Sequence, residues 1–327
     1  MRILIIGAAG MLGRKLSDRL ARDGSLGSRA ISAMVLADVA DVVDVVVVAS
    51  GAGDVETIAA DLADPGVAAD LIASRPEVIV DLAAVVSGEA EQDFAKGYRV
   101  NLDAARHLLE AVRLAGDGYR PRLVFSSSIA VFGPPMPEVI ADGHPATPAT
   151  SYGTQKAIVE LLLADYTRRG FIDGIGIRLP TICVRPGAPN LAASGFFSNI
   201  IREPLHGRPA VLPVSPDVRH WFASPRAAVG FLIHAATMDT GALGLRRSLT
   251  MPGVAATVGE EIEALRRVAG DDAVALIRSE PDDSIARIVG GWPRAFDARR
   301  ALDLGFAAEP DFDAIVRVYV EDEMGGV

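Results

Sequence analysis

The sequence predicts an α/β fold: a parallel sheet with helices on both faces, followed by a smaller, irregular C-terminal part. Two observations support this. Short β-branched apolar runs alternate with stretches whose apolar residues recur every three or four positions, as crossovers between parallel strands require. After about residue 180 the rhythm breaks, because Pro180, Pro186, Pro189, Pro204, Pro209 and Pro213 divide 180–220 into turns and short elements.

In chain order, residues 2–6 read as a strand buried on both faces. A helix is expected over 11–20, with Leu12, Leu16 and Leu20 on one face. A second strand ends at Leu36-Ala37-Asp38, a third candidate lies at 45–48, and a fourth at 78–81. Helical patterns over 89–115 and 151–169 flank a buried-strand run at 122–125. A further strand-like run covers 175–184, and helices are expected at 225–236 and 258–269. The division that follows is a dinucleotide-binding domain over 1–180, with later segments returning to it, and a mainly substrate-binding domain over 181–327.

Composition narrows the function. The 327 residues hold 32 Lys plus Arg against 42 Asp plus Glu, a net charge of −10. That balance argues against a nucleic-acid binder that neutralises phosphates. Half the residues are hydrophobic, which excludes a disordered chain. The single cysteine, Cys183, excludes an internal disulfide and a multi-cysteine zinc site, and its apolar neighbours make it a buried bystander. The five histidines are scattered, so no metal is expected. The apolar run Ile3-Leu4-Ile5-Ile6 is too short for a signal peptide, and no run approaches the ~20 residues of a membrane span. The expected compartment is the cytoplasm, with neither membrane nor nucleic acid as partner.

Between the first strand and first helix lies Gly7-Ala8-Ala9-Gly10-Met11-Leu12-Gly13. A dinucleotide's pyrophosphate must come close to a helix N-terminus, where free N–H groups and the helix dipole favour negative charge. Side chains would obstruct that approach. The spacing G-x-x-G-x-x-G differs by one residue from the Rossmann fingerprint, but its strand-to-helix placement is the one the fingerprint needs. Asp38, at the end of the second strand, is the acid expected to bond the adenosine ribose, with Asp41 as competitor. A carboxylate there repels a 2′-phosphate, and Arg14 is the nearest basic candidate to receive one. NAD is therefore expected rather than NADP, on a doubly wound Rossmann sheet.

Tyr152-Gly153-Thr154-Gln155-Lys156 places a phenol and an ammonium on one helix face, one turn apart. A free tyrosine, with a pKa of about 10, is a poor base at neutral pH, and a nearby ammonium stabilises its phenolate. Such a phenolate accepts the proton of an alcohol as the carbon gives up hydride. Val124-Phe125-Ser126-Ser127-Ser128 brings hydroxyl groups to a strand's carboxyl end, where ligands of parallel sheets bind.

Together these residues resemble the extended short-chain dehydrogenase/reductase (NAD-dependent epimerase/dehydratase) family. Asp61-Leu62 is similar to its adenine-contacting pair. Asp81-Leu82-Ala83-Ala84 is similar to its His-Leu-Ala-Ala motif, with Asp replacing His. Asn101 matches its water-holding asparagine, and alignment of Phe125 to Gly133 puts the catalytic hydroxyl at Ser128. Within the family the chain looks most like the D-erythronate dehydrogenases and next like the short-chain L-threonine dehydrogenases. The carriers are Ala83-Ala84-Val85-Val86-Ser87-Gly88-Glu89, and Arg185-Pro186-Gly187 with the segment from Gly195 to Leu205.

The resemblance implies NAD-dependent oxidation of the C2 hydroxyl of a small anionic sugar acid, D-erythronate. Ser128, Tyr152, Lys156 and Asn101 are the implied catalytic residues. Gly7, Gly10, Met11, Leu12, Gly13, Asp38, Asp61, Leu62 and Ala83 would bind cofactor together with Asn101, Tyr152 and Lys156. Ser87 and Arg185 would contact substrate beside Ser128 and Tyr152, and homo-oligomers, commonly dimers, are implied. L-threonine dehydrogenase, nucleotide-sugar 4-epimerase and a non-catalytic NAD sensor remain the other readings.

Overall fold

The computed structural model describes residues 1–40, 51, 53–187 and 194–325. They form two compact units: Met1–Val131, Thr150–Arg178 and Val229–Leu249 make the first, and Phe132–Ala149, Leu179–Ala228 and Thr250–Val327 the second. The division therefore crosses the chain more than once. Phe132–Ala149 lies in the second unit, where Ile140–Ala141 pairs in parallel with Phe296–Asp297.

The first unit is built on a seven-stranded sheet. Its strands are β1 (Arg2–Ile6), β2 (Ala33–Asp38), β3 (Asp54–Ala59), β4 (Val78–Asp81), β5 (Arg122–Ser128), β6 (Asp173–Leu179) and β7 (Ser248–Thr250). They lie in the order 7-6-5-4-1-2-3, and the pairs β1–β2, β1–β4, β2–β3 and β4–β5 are parallel. The chain winds outward in both directions from β1, so a crevice opens at the carboxyl ends beside it. Ile3, Leu4, Ile5 and Ile6 are buried although successive side chains leave on opposite faces, which is why β1 reads as an unbroken apolar run.

Helix α1 spans Met11–Asp23, α2 Val67–Ile72 and α6 Ser151–Arg168. Thr150 starts α6, its hydroxyl accepting the Gly153 N–H at 3.0 Å. The continuous helix expected over 89–115 is instead α3 (Ser87–Gln92), α4 (Phe94–Tyr98), a π-helical turn (Arg99–Asp103) and α5 (Ala104–Leu114). Asp93 causes the first break: its carboxylate accepts the Lys96 N–H at 2.9 Å and caps α4. The third sheet strand is Asp54–Ala59, largely exposed at the sheet edge; the candidate at 45–48 lies outside the described residues.

One face of the sheet, with Ile79, Leu123 and Phe125, packs on Leu108, Leu109 and Val112 of α5 and Val159 and Leu163 of α6. The β4–β5 register aligns Ile79 with Leu123 and Asp81 with Phe125. Asp81 therefore leaves the sheet on the face that α6 covers.

The second unit holds a three-stranded sheet of Thr181–Ile182, Arg219–Ala223 and Val254–Thr257. Its core includes Phe197, Phe222, Leu265, Ile315 and Val316, with Cys183 buried among them. The stretch 180–220 is more regular than its prolines imply, because Gly195–Leu205 is an 11-residue helix. Phe196, Phe197, Ile200 and Ile201 give it a buried stripe, and Pro204 lies inside its last turn. Among the described residues no helix is long and apolar enough to cross a membrane. No group of three His, Cys, Asp or Glu among them could hold a metal ion.

Candidate active site

The loop from β1 to α1 needs its glycines for steric reasons. Gly7 has φ +81°, and a Cβ there would meet the Ala83 nitrogen and the Leu82 carbonyl carbon at 2.8 Å. At Gly13 a Cβ would meet the Gly7 carbonyl oxygen at 2.2 Å. Gly10 is the N-cap of α1 and offers no side-chain cap, and the first turn, which begins with Met11 and Leu12, holds no acid. The helix thus presents uncapped N–H groups beside a loop too tight for side chains, an arrangement that suits an anion.

Asp38 ends β2. Its Oδ2 accepts the Ala9 N–H at 2.9 Å and its Oδ1 the Ala40 N–H at 3.1 Å. Arg14 Nε donates to the Ala9 carbonyl at 2.8 Å, which ties that guanidinium to the glycine loop. The alternative acid, Asp41, lies outside the described residues. Beyond β3, Asp61 accepts the Ala63 N–H at 2.9 Å and an Arg99 Nη2 bond at 2.7 Å, and Leu62 is buried.

The three serines ending β5 diverge. Ser126 donates to the Asp81 carbonyl at 2.9 Å, and Ser127 donates to Glu160 at 2.5 Å. Ser128 is the only one of the three that is partly exposed, and its Oγ accepts the Ala130 N–H at 3.1 Å. On α6, Tyr152 is half-buried while Lys156 is 1% exposed. Lys156 Nζ donates to the Ser126 carbonyl at 2.8 Å and lies 4.7 Å from the Phe125 ring centroid and 5.7 Å from that of Tyr152. Burial pulls the ammonium down to about 8, against the carboxylates of Asp81 and Glu160, which pull it up. Burial likewise pushes Asp81 up to about 6, opposed by Lys156 and the Ala83 N–H.

Asn101 stands in the π-helical turn, a distortion that re-aims side chains. Its Oδ1 accepts the Val85 N–H at 2.9 Å, and its Nδ2 donates to Val85 O at 3.2 Å and to Gln155 Oε1 at 2.7 Å. Asn101 thereby joins the 83–89 segment, which carries half-buried Ser87 at the start of α3, to the residue preceding Lys156. Gln155 was not singled out from the sequence. A polar residue inside the Tyr152–Lys156 turn was the available signal. Glu160 was missed as well; Arg178 grips both its oxygens, at 2.9 and 2.7 Å.

In the second unit, Arg185 donates from Nε to the Ile182 carbonyl at 3.1 Å and from Nη2 to Ser194 Oγ at 2.8 Å. His220 bonds the Pro293 carbonyl through Nδ1 at 2.9 Å. A carbonyl only accepts, so Nδ1 carries the proton and Nε2 accepts from the Thr181 hydroxyl at 2.6 Å. Burial pulls His220 down to about 4, which keeps it neutral. A cavity of about 480 Å³ in this unit is lined by Arg219, Trp292, Arg294, Glu138 and Asp217, among others.

The chain matches the NAD dependent epimerase/dehydratase family over residues 3–224. It is 47% identical over 328 residues to D-erythronate dehydrogenase of Cupriavidus necator, covering 98% of each chain. It is 40% identical over 324 residues to D-erythronate dehydrogenase of Haemophilus influenzae, covering 99% of this chain and 100% of that one. A crystal structure described as the nucleoside-diphosphate-sugar epimerase from Agrobacterium tumefaciens has a TM-score of 0.97 at 61% identity, covering 100% of this chain and 95% of that one. The glycine loop, the strand-end serines and the Tyr152–Lys156 turn all lie inside the matched residues, and the chain belongs to the NAD-dependent epimerase/dehydratase family.

Proposed function

We propose that this NAD-dependent dehydrogenase oxidises the C2 hydroxyl of D-erythronate, giving 2-dehydro-D-erythronate. The observation that supports this substrate is the similarity, along nearly the whole chain, to two D-erythronate dehydrogenases. The residues present fit NAD. Glycine at 7 and 13 lets the loop pack against its own backbone too closely for any Cβ, and the uncapped α1 N-terminus beside it suits a pyrophosphate. Asp38 suits a ribose diol, Asp61 and Leu62 would flank the adenine, and Lys156 would hold the nicotinamide ribose. When bound, NAD supplies the hydride acceptor.

The chain's own residues manage the proton. Ser128 and Tyr152 hold the alcohol oxygen. As the C2–H bond breaks with its electron pair, the C2–O bond becomes a carbonyl and the hydroxyl proton passes to Tyr152 Oη. Lys156 supports the phenolate through its charge, and Asn101 would order the water that relays the proton onward. Ser87 contacts the acid, and Arg185 pairs with its carboxylate through a forked guanidinium contact.

A second reading, a nucleotide-sugar epimerase, is favoured by the name given to the 61% identical structure. The same Ser128, Tyr152 and Lys156 would serve it. NADH formation with D-erythronate, L-threonine and other hydroxy acids, beside a UDP-glucose/UDP-galactose interconversion assay, separates them. D-Erythronate should give the highest kcat/KM, and Arg185→Met should raise its KM with less effect on NAD. Interconversion of UDP-sugars without turnover of any acid would replace the dehydrogenase reading by the epimerase one.

A further inference from the structure

We propose that Asp81 is the counter-ion of Lys156, a positioning residue that keeps the ammonium charged beneath the Tyr152 ring. The inference rests on the Tyr152–Lys156 chemistry above. Asp81 occupies the position where the resembled motif has His, so it is a feature of this chain's own residues.

The geometry begins with the sheet register. Asp81 is aligned with Phe125, so both side chains leave the sheet on the α6 face. Lys156 Nζ lies 4.7 Å from the centroid of that same Phe125 ring. Ser126 ties the two sites together, its hydroxyl on the Asp81 carbonyl and its own carbonyl under Lys156 Nζ. Asp81 is 4% exposed, and its carboxylate takes a backbone N–H, from Ala83, at a long 3.2 Å. A buried carboxylate held so weakly needs a cation nearby.

Lys156 is the cation that acts on Asp81, and the groups around Lys156 leave Asp81 as its counter-charge. Tyr152 and Glu160 face it from α6, but Glu160 is already occupied by Arg178 of β6 and by the Ser127 hydroxyl. Burial drives the ammonium down to about 8 and the carboxyl up to about 6, so each charge sustains the other between those values. Removing the Asp81 charge lets Lys156 lose its proton closer to neutrality. Support for the phenolate then ends at a lower pH.

The test compares Asp81→Asn and Asp81→Glu with the unaltered protein, through the pH profile of kcat/KM and the pH dependence of the Kd for NAD. In Asp81→Asn the alkaline limb of both should move to lower pH by roughly half a unit or more, while Asp81→Glu keeps the original limb. An unmoved limb in Asp81→Asn, or an equal shift in Asp81→Glu, would overturn the proposal. Should Asp81→Asn fail to fold, Tm is compared between Lys156→Met and Lys156→Met/Asp81→Asn. The double variant should melt higher, since it no longer buries an unpaired carboxylate, and a lower Tm would overturn the proposal. Tyr152→Phe marks the other failure: turnover retained there removes the phenolate reading itself, whereas a dead Tyr152→Phe with an unmoved Asp81→Asn limb removes only the counter-ion.

Discussion

Lys156 and Glu160 stand one turn apart on α6, and their surroundings are opposite. Both Glu160 oxygens are held by the Arg178 guanidinium, and Oε1 also takes the Ser127 hydroxyl, so the cluster is closed. Lys156 has three N–H donors, and among the described residues one of them is bonded, to the Ser126 carbonyl. Its other surroundings are two aromatic rings and the carboxylates of Asp81 and Glu160. A saturated buried pair joins α6 to β5 and β6. An unsaturated one keeps donors for a ligand, and this second kind is where chemistry is expected.

The sharpest way to break this comparison is Tyr152→Phe, which removes one hydroxyl and keeps the ring over Lys156. Turnover should fall by roughly 100- to 10,000-fold while Tm and the Kd for NAD stay close to normal. A drop in Tm comparable to the loss of activity would move the open cluster into the structural class.

The converse change is Arg178→Met, which strands the Glu160 carboxylate in the interior. Removing one partner of a buried pair costs about 3–5 kcal/mol, so chemical denaturation should show a loss of that order. Near-normal stability would show that Arg178 does not hold the Glu160 carboxylate in place.

The two clusters also differ in how far the sequence reveals them. Tyr152 and Lys156 are legible because helix geometry converts a spacing of four into a shared face, and because glycines and serines mark strand ends on the same sheet. Arg178 and Glu160 are 18 positions apart on different elements, and no local spacing reports such a pair. Asp81 is visible as a motif residue, but its partner follows only from the β4–β5 register. The same physics explains the fold-level differences. Strands buried on both faces, such as β1, announce themselves, whereas Asp54–Ala59 is an exposed edge strand with a mixed pattern. The break at Asp93 is a local capping choice inside an otherwise helical period. Gly195–Leu205 is hidden by Pro204, whose missing N–H costs one bond of the last turn while the buried stripe of Phe196, Phe197, Ile200 and Ile201 holds the helix.

Asp38 sharpens the comparison because it stands between the two classes. Each of its oxygens already accepts one backbone N–H, from Ala9 and Ala40, as a structural carboxylate would. An ionised carboxylate has about four acceptor sites, so roughly two remain for the paired hydroxyls of a ribose. Asp38→Ala separates the roles by which cofactor it affects. If the carboxylate served only to brace the glycine loop, NAD and NADP would weaken together and Tm would fall. If it binds the ribose, NAD loses a charged hydrogen bond of about 1.5 kcal/mol or more, while NADP is also freed from repulsion at its 2′-phosphate. The preference for NAD over NADP should then shrink by about tenfold or more, read as the ratio of the two Kd values. Equal losses for both cofactors would place Asp38 beside Glu160, among the closed and structural carboxylates.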